Sequence, residues 1–213
     1  MQIAIIGATG RQGGLIVQEA LKRRHRVTAV VSNRAKVMFS SVSILEKDLF
    51  RLASDDLNGF EAVVDAFRAA DGHEDEYVTT LKHLIEIFHD LPQVRLLVVG
   101  GAGSLYVNPE KRLRLLDAKD FPAARKPAEI SMAKALDMLK ESGINWTYLS
   151  PSAVFDPEGL RSGKYITGDD VLLTDQNGES YVSYADCAVA VVDEIERKAH
   201  IRKRFTVASE KLN

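Results

Sequence analysis

Residues 7–13 of this 213-residue chain read Gly7-Ala8-Thr9-Gly10-Arg11-Gln12-Gly13. They follow the apolar run Ile3-Ala4-Ile5-Ile6 and lead into Gly14-Leu15-Ile16-Val17-Gln18-Glu19-Ala20-Leu21, whose apolar residues recur at helical spacing. A strand, a glycine-rich turn and a helix in direct succession form the context in which such a motif reads as a dinucleotide site. Gly7 lets the chain turn sharply off the strand, Gly10 lets the backbone approach a pyrophosphate, and Gly13 lets the helix pack closely on the sheet. The N–H groups of the first helical turn, at the positive end of the helix dipole, can then hold the phosphates. Gly7, Thr9, Gly10, Arg11, Gln12 and Gly13 are therefore the first expected cofactor-binding residues.

Beyond the turn, short β-rich runs alternate with helical segments, the pattern of a parallel sheet covered on both faces. Strands are expected at 2–6, 26–31, 42–45, 62–66, 94–99 and 144–149, and a last one at 204–208. Helices are expected at 11–24, 77–90, 128–142 and, N-capped by Ser183, near the C-terminus. Residues 152–182 break the pattern with glycines and two short β-like pieces, 164–167 and 171–174, and read as a small substrate lobe within one domain spanning 1–213. The loops at 68–76 and 104–127 are long enough to be lids or binding loops.

Composition narrows the class. The net charge is −2 with an acidic sequence pI, so nothing draws the chain as a whole toward nucleic acid. Cys187 is the single cysteine, so no disulfide forms within the chain, and cytoplasmic residence is expected. No apolar run reaches the roughly 18 to 20 residues that a membrane helix needs. His73, His83 and His89 have no metal-ligand spacing, and no metal is expected.

The glycine spacing is G-x-x-G-x-x-G, which resembles the short-chain dehydrogenase/reductase superfamily. Further segments extend the likeness: Val98-Val99-Gly100-Gly101-Ala102-Gly103-Ser104-Leu105, Asn145-Trp146-Thr147-Tyr148-Leu149-Ser150-Pro151-Ser152-Ala153, Gly163-Lys164-Tyr165 through Gly168-Asp169, and Tyr184-Ala185-Asp186-Cys187-Ala188-Val189-Ala190. In this order they resemble the NADH-flavin reductase family of atypical short-chain dehydrogenases along essentially the whole chain. The resemblance implies a doubly wound α/β (Rossmann) domain and a nicotinamide cofactor. It also implies that Asp48 and Leu49 contact the adenine, although Asp48 suits a helix N-cap equally well.

NAD-preferring enzymes carry an acidic residue after the second strand to bind the ribose hydroxyls. Here Ser32, Asn33 and Arg34 follow that strand, and Arg11, Arg34 and Lys36 can supply positive charge. NADP is therefore expected, with NAD as the alternative. Ligands of such sheets lie beyond the carboxyl ends of the strands. That rule nominates Asp65, Ala66 and Phe67 after the fourth strand, Gly100 and Gly101 through to Ser104 after the fifth, and Ser150 through Pro151 to Phe155 after the sixth.

Carbonyl-reducing members of the superfamily protonate the nascent alkoxide with a Tyr-x-x-x-Lys pair. Here those positions fall on about Ala128 and Met132, and residues 123–142 contain no tyrosine. A flavin spreads the negative charge left by hydride over its ring and needs no such dyad. The expected chemistry is hydride delivery from a nicotinamide to a flavin or similar planar acceptor. FMN or FAD would act as substrate rather than as a tightly held group. Ser104 stands roughly where the superfamily places its catalytic Ser/Thr, and it and Tyr106 are candidates for orienting the acceptor. Phe155 is a candidate stacking surface, with lobe packing as its plain alternative. A non-catalytic, redox-sensing regulator is the main rival, and a sugar-nucleotide epimerase is third. The expected partner is a small-molecule acceptor, with a homodimer left open and neither nucleic acid nor membrane implied.

Overall fold

The computed structural model describes residues 1–175 and 178–212. Residues 176 and 177, inside the expected lobe, and residue 213 lie outside the described part. The elements run in the order β1 (Gln2–Ile6), α1 (Arg11–Lys22), β2 (Arg26–Val31), β3 (Ser43–Glu46), α2 (Ser54–Leu57), β4 (Ala62–Asp65), α3 (Glu76–Phe88) and β5 (Arg95–Val99). Then follow α4 (Lys126–Glu141), β6 (Trp146–Ser150), β7 (Val154–Asp156), β8 (Ile166–Gly168), β9 (Tyr181–Ser183), α5 (Tyr184–Arg197) and β10 (Lys203–Ala208). The main sheet has the order β3-β2-β1-β4-β5-β6-β10-β8. All its pairings are parallel except that of β10 with β8.

The sequence dictates two covered faces. In β1 successive side chains point to opposite sides. Ile3 and Ile5 enter a core with Ile16 and Val17 of α1 and Val191 and Ile195 of α5. Ala4 and Ile6 enter a second core with Leu81, Leu84 and Phe88 of α3 and Leu136 and Leu139 of α4. A strand buried on both faces reads as a continuous apolar run, which is why β1, β4 and β5 are legible as strands. Trp146 is core, as its place inside a strand suggests. Cys187 is fully buried in α5, and desolvation pushes its thiol well above the ordinary range, as expected of a structural cysteine.

The region 152–182 departs from expectation. Of its two expected β pieces, the first becomes β8 and joins the main sheet as an antiparallel edge strand. Residues 171–174 form no strand, and Val171 makes only an isolated bridge to Tyr106. The remaining strands, β7 and β9, pair in parallel as a two-stranded ribbon. Side chains staple the segment to the domain. Arg161 binds Glu19 of α1 at 3.1 Å, and Asp186 of α5 accepts from Ser162 Oγ at 2.8 Å and Gly163 N–H at 2.7 Å. Ser183 caps α5 through Asp186 N–H at 2.9 Å.

Candidate dinucleotide and hydride-transfer site

The chain winds outward one way through β1, β2 and β3 and the other way through β4, β5 and β6, so the order reverses between β1 and β4. At such a point a crevice opens beyond the carboxyl ends of the strands. The glycine turn leaves β1 there. Gly7 has φ +74°, and a Cβ on it would lie 2.5 Å from the Ala66 carbonyl oxygen, so the turn nests against the end of β4. A Cβ on Gly13 would lie 2.2 Å from the Gly7 carbonyl oxygen, which explains how closely α1 folds back on the turn.

Gly10 differs from both. It takes the N-cap position of α1 in ordinary extended backbone, offers no side-chain cap, and is exposed. The first turn of α1 carries no acidic side chain. Gln12, in the same turn, is buried with neither its amide oxygen nor its amide nitrogen hydrogen-bonded. Such orphaned groups are costly without a partner. An uncapped helix start, an open Gly10 and an unpartnered amide together fit a phosphate-bearing dinucleotide. Arg11 is exposed and ion-paired with Glu158, and Thr9 is exposed beside Gly10.

The ends of the next strands complete the edge. Ala66 N–H donates to the Ile6 carbonyl at 3.1 Å, and Phe67 N–H donates to Asp65 Oδ1 at 3.0 Å. Asp65 is buried, and desolvation pushes its carboxyl up to about 6. It lines a cavity of about 20 Å³ with Tyr77, Thr80 and Tyr148. Gly100 N–H bonds the Leu149 carbonyl, Gly101 N–H donates to Tyr148 Oη, and Pro151 is buried at the end of β6.

Two aromatic pairs stand at this edge. Phe67 meets Tyr77 edge-on with centroids 6.0 Å apart, and Phe155 lies against Tyr184 at 4.0 Å. Burial pushes both phenols up, and the Arg68 guanidinium acts on both in the opposite sense.

Ser104 and Tyr106 are tied into the structure behind the edge. Ser104 Oγ accepts from Arg204 Nη1 at 2.8 Å, and that guanidinium is held by Asp170. Tyr106 N–H donates to the Asp170 carbonyl, and the Tyr106 carbonyl accepts from Leu172 N–H, each at 2.8 Å. The loop from 104 to 127 is thus anchored at its start, with Lys111 paired to Asp170 at 2.9 Å.

Beyond the ends of β2 and β3, where the adenosine of a dinucleotide is expected, Ser32 and Asp48 line a cleft of about 530 Å³ with Glu46, Lys47 and Arg51. Asp48 caps the short turn Leu49–Arg51 through Phe50 N–H at 2.9 Å, while Leu49 packs against the α3/α4 core. Asn33 Oδ1 takes the Ala35 N–H. The sequence-based premise of no carboxylate beside the end of β2 is corrected by the sheet. The β2–β3 register pairs Val31 with Glu46, and Glu46 Oε1 accepts the Arg34 N–H at 3.0 Å. The expected strand 42–45 stopped one residue short of this group.

Sequence reasoning also missed Glu129. It is buried in α4 between the positions where the Tyr/Lys dyad would stand, and its Oε2 accepts Gly103 N–H at 2.7 Å. A Cβ on Gly101 would lie 2.2 Å from that oxygen, so Glu129 braces the glycine loop after β5. Its other oxygen pairs with Arg125 at 3.2 Å, and Arg125 donates to the Ala153 carbonyl. A carboxylate inside an amphipathic helix directly beside the empty dyad positions was the signal available.

An open parallel sheet reversing at β1/β4, with an uncapped glycine turn at the reversal, defines a dinucleotide-binding protein. The sequence profile of the NAD(P)H-binding family matches residues 7–198, and the chain belongs to that family. It is 48% identical over 211 residues to the uncharacterized protein YwnB of Bacillus subtilis (strain 168), covering 99% of each chain. Among solved structures it is similar to a Streptococcus pneumoniae TIGR4 protein described as a "putative NADH-flavin reductase". The two share 41% identity over 99% and 100% of the chains, with a TM-score of 0.93. It is also similar to a "putative epimerase" of Bacteroides thetaiotaomicron, with 32% identity over 100% and 98% of the chains and a TM-score of 0.89.

Proposed function

We propose that the chain is an NAD(P)H-dependent oxidoreductase that passes hydride to a flavin or similar planar acceptor. The observation that carries this reading is an uncapped glycine turn at the reversal of the sheet, with the aromatic pairs Phe67–Tyr77 and Phe155–Tyr184 after β4 and β6 and a helix, α4, that offers no proton donor at its dyad positions. Ala128 and Met132 occupy them, and the charged group between, Glu129, is occupied by the Gly103 N–H and Arg125.

When bound, the reduced nicotinamide supplies the hydride. The protein's part is to position. Gly7, Gly10 and Gln12 hold the phosphate end, Ala66, Gly100 and Pro151 form the floor, and Phe67, Tyr77, Phe155 and Tyr184 offer flat surfaces to an acceptor ring. Holding two rings in register can supply most of the acceleration of a hydride transfer that needs no protein acid. Ser104 and Tyr106 orient the acceptor through the loop they anchor. The acceptor is a diffusible small molecule, FMN or FAD as substrate, and the setting is cytoplasmic.

A matrix of turnover assays tests the proposal, with NADH and NADPH each set against FMN, FAD, riboflavin and a quinone. Dinucleotide oxidation that depends on added flavin supports it. Tight dinucleotide binding without turnover on any acceptor would refute it in favour of a redox-sensing regulator.

A further inference from the structure

We propose that Glu46 chooses between the two nicotinamide dinucleotides and that it favours NADH. The inference rests on the dinucleotide site described above and on the cleft at its adenosine end.

The β2–β3 register sets the Glu46 carboxylate level with the last residue of β2, beside Ser32. Its Oε1 is fixed by the Arg34 N–H at 3.0 Å. Its Oε2 has no donor among the described residues, and Glu46 lines the same cleft. A carboxylate held this way is an acceptor waiting for hydroxyl donors, and the vicinal hydroxyls of an adenosine ribose are such donors. A 2′-phosphate brings acceptor oxygens and close to two negative charges to the same place.

The surrounding charges do not offset that clash. Asp48 contributes a second carboxylate to the cleft wall. Lys47 also lines it, but both oxygens of Asp56 bind its ammonium, at 2.6 and 2.8 Å, so its charge is spent inside the fold. Arg51 is left as the one lining cation without an ion-pair partner among the described residues, against two carboxylates. Arg34 gives this wall its backbone N–H, and its guanidinium is not part of the lining. The fold has thus moved the acidic ribose-binding group from the end of β2 to the end of β3, where reading along the sequence does not find it.

Titration of the protein with NADH and with NADPH, followed by nicotinamide fluorescence, tests the assignment in wild type, Glu46→Gln and Arg51→Gln. Glu46→Gln keeps an acceptor oxygen for the Arg34 N–H and removes only the charge. Wild type is expected to bind NADH at least tenfold tighter than NADPH, a difference of about 1.4 kcal/mol. In Glu46→Gln the ratio should fall at least fivefold, mainly through tighter NADPH, and in Arg51→Gln it should widen. A wild-type preference for NADPH, or a ratio unmoved by Glu46→Gln, would overturn the assignment while leaving the dinucleotide site intact. Failure of wild type to bind either dinucleotide would overturn the site and the assignment together.

Discussion

Asp65 is a buried carboxylate at the end of β4, and replacing it by asparagine should stabilise the protein at neutral pH. Its side chain has one hydrogen bond, from Phe67 N–H to Oδ1, and burial raises its carboxyl from 3.8 to about 6. Between those two values the folded chain holds a proton that the unfolded chain has released. Stability therefore falls as pH climbs from about 4 to about 6 and stays lower above that. At 1.36 kcal/mol per pH unit, keeping Asp65 ionised and buried costs about 3 kcal/mol at pH 8. Asparagine keeps the oxygen that receives the Phe67 N–H and carries no charge. Asp65→Asn should gain up to about 3 kcal/mol at pH 8, or roughly 6–12 °C in Tm for a chain of this size. The gain should vanish near pH 4, where both side chains are neutral. Urea unfolding of both proteins at pH 4.5, 6 and 8 isolates the effect, because every other titrating group is shared. A variant less stable than wild type at pH 8, or a difference that does not change with pH, would refute the reasoning.

Four further outcomes follow from the geometry. Gly10→Val should leave the chain folded, because its backbone is extended and a Cβ 3.2 Å from the Gly7 carbonyl oxygen asks the turn to give by only a few tenths of an ångström, yet weaken dinucleotide binding at least tenfold by fluorescence titration. Gly13→Ala should instead destabilise the fold by about 1–3 kcal/mol in urea unfolding, since its Cβ would lie 2.2 Å from the same oxygen. Ser104→Ala and Tyr106→Phe should each slow flavin reduction less than about tenfold, and a loss beyond about a thousandfold with dinucleotide binding intact would reveal an indispensable proton donor there. Glu194→Ala strands the buried Arg95 guanidinium and should cost about 3–5 kcal/mol in urea unfolding; a loss below about 1 kcal/mol would contradict a structural role for that pair.

Much of the fold was legible because its central strands are covered on both faces. Gln2–Ile6, Ala62–Asp65 and Arg95–Val99 announce themselves as apolar runs, and the glycine turn fixes which end of β1 carries the ligand. The segment 152–182 was harder to read for a physical reason. Its strands are three residues long and are held by side chains distant in sequence, such as Glu19 for Arg161 and Asp186 for Ser162 and Gly163. Local pattern therefore could not tell that Ile166–Gly168 would edge the main sheet while 171–174 would form no strand.

The candidate site divides along the same line. Candidates that would act through backbone geometry, at Gly7, Gly10, Ala66, Gly100 and Pro151, can be nominated from strand ends alone, because the crevice follows from the sheet order. Groups that act through charge could not. Glu46 lies fourteen residues after Ser32 in the sequence and reaches it only through the β2–β3 register, so a search for an acidic residue after the second strand passes it by. Glu129 stands on the helix where an acid was sought and not found, and its role depends on the glycine loop packed against it rather than on its neighbours in the helix. In both cases a side chain from an adjacent element stands beside the position where a dinucleotide-binding fold leads one to expect the chemistry. Cofactor choice in this chain is therefore to be sought in the pairing of β2 with β3, and the missing dyad in what α4 supports rather than in what it donates.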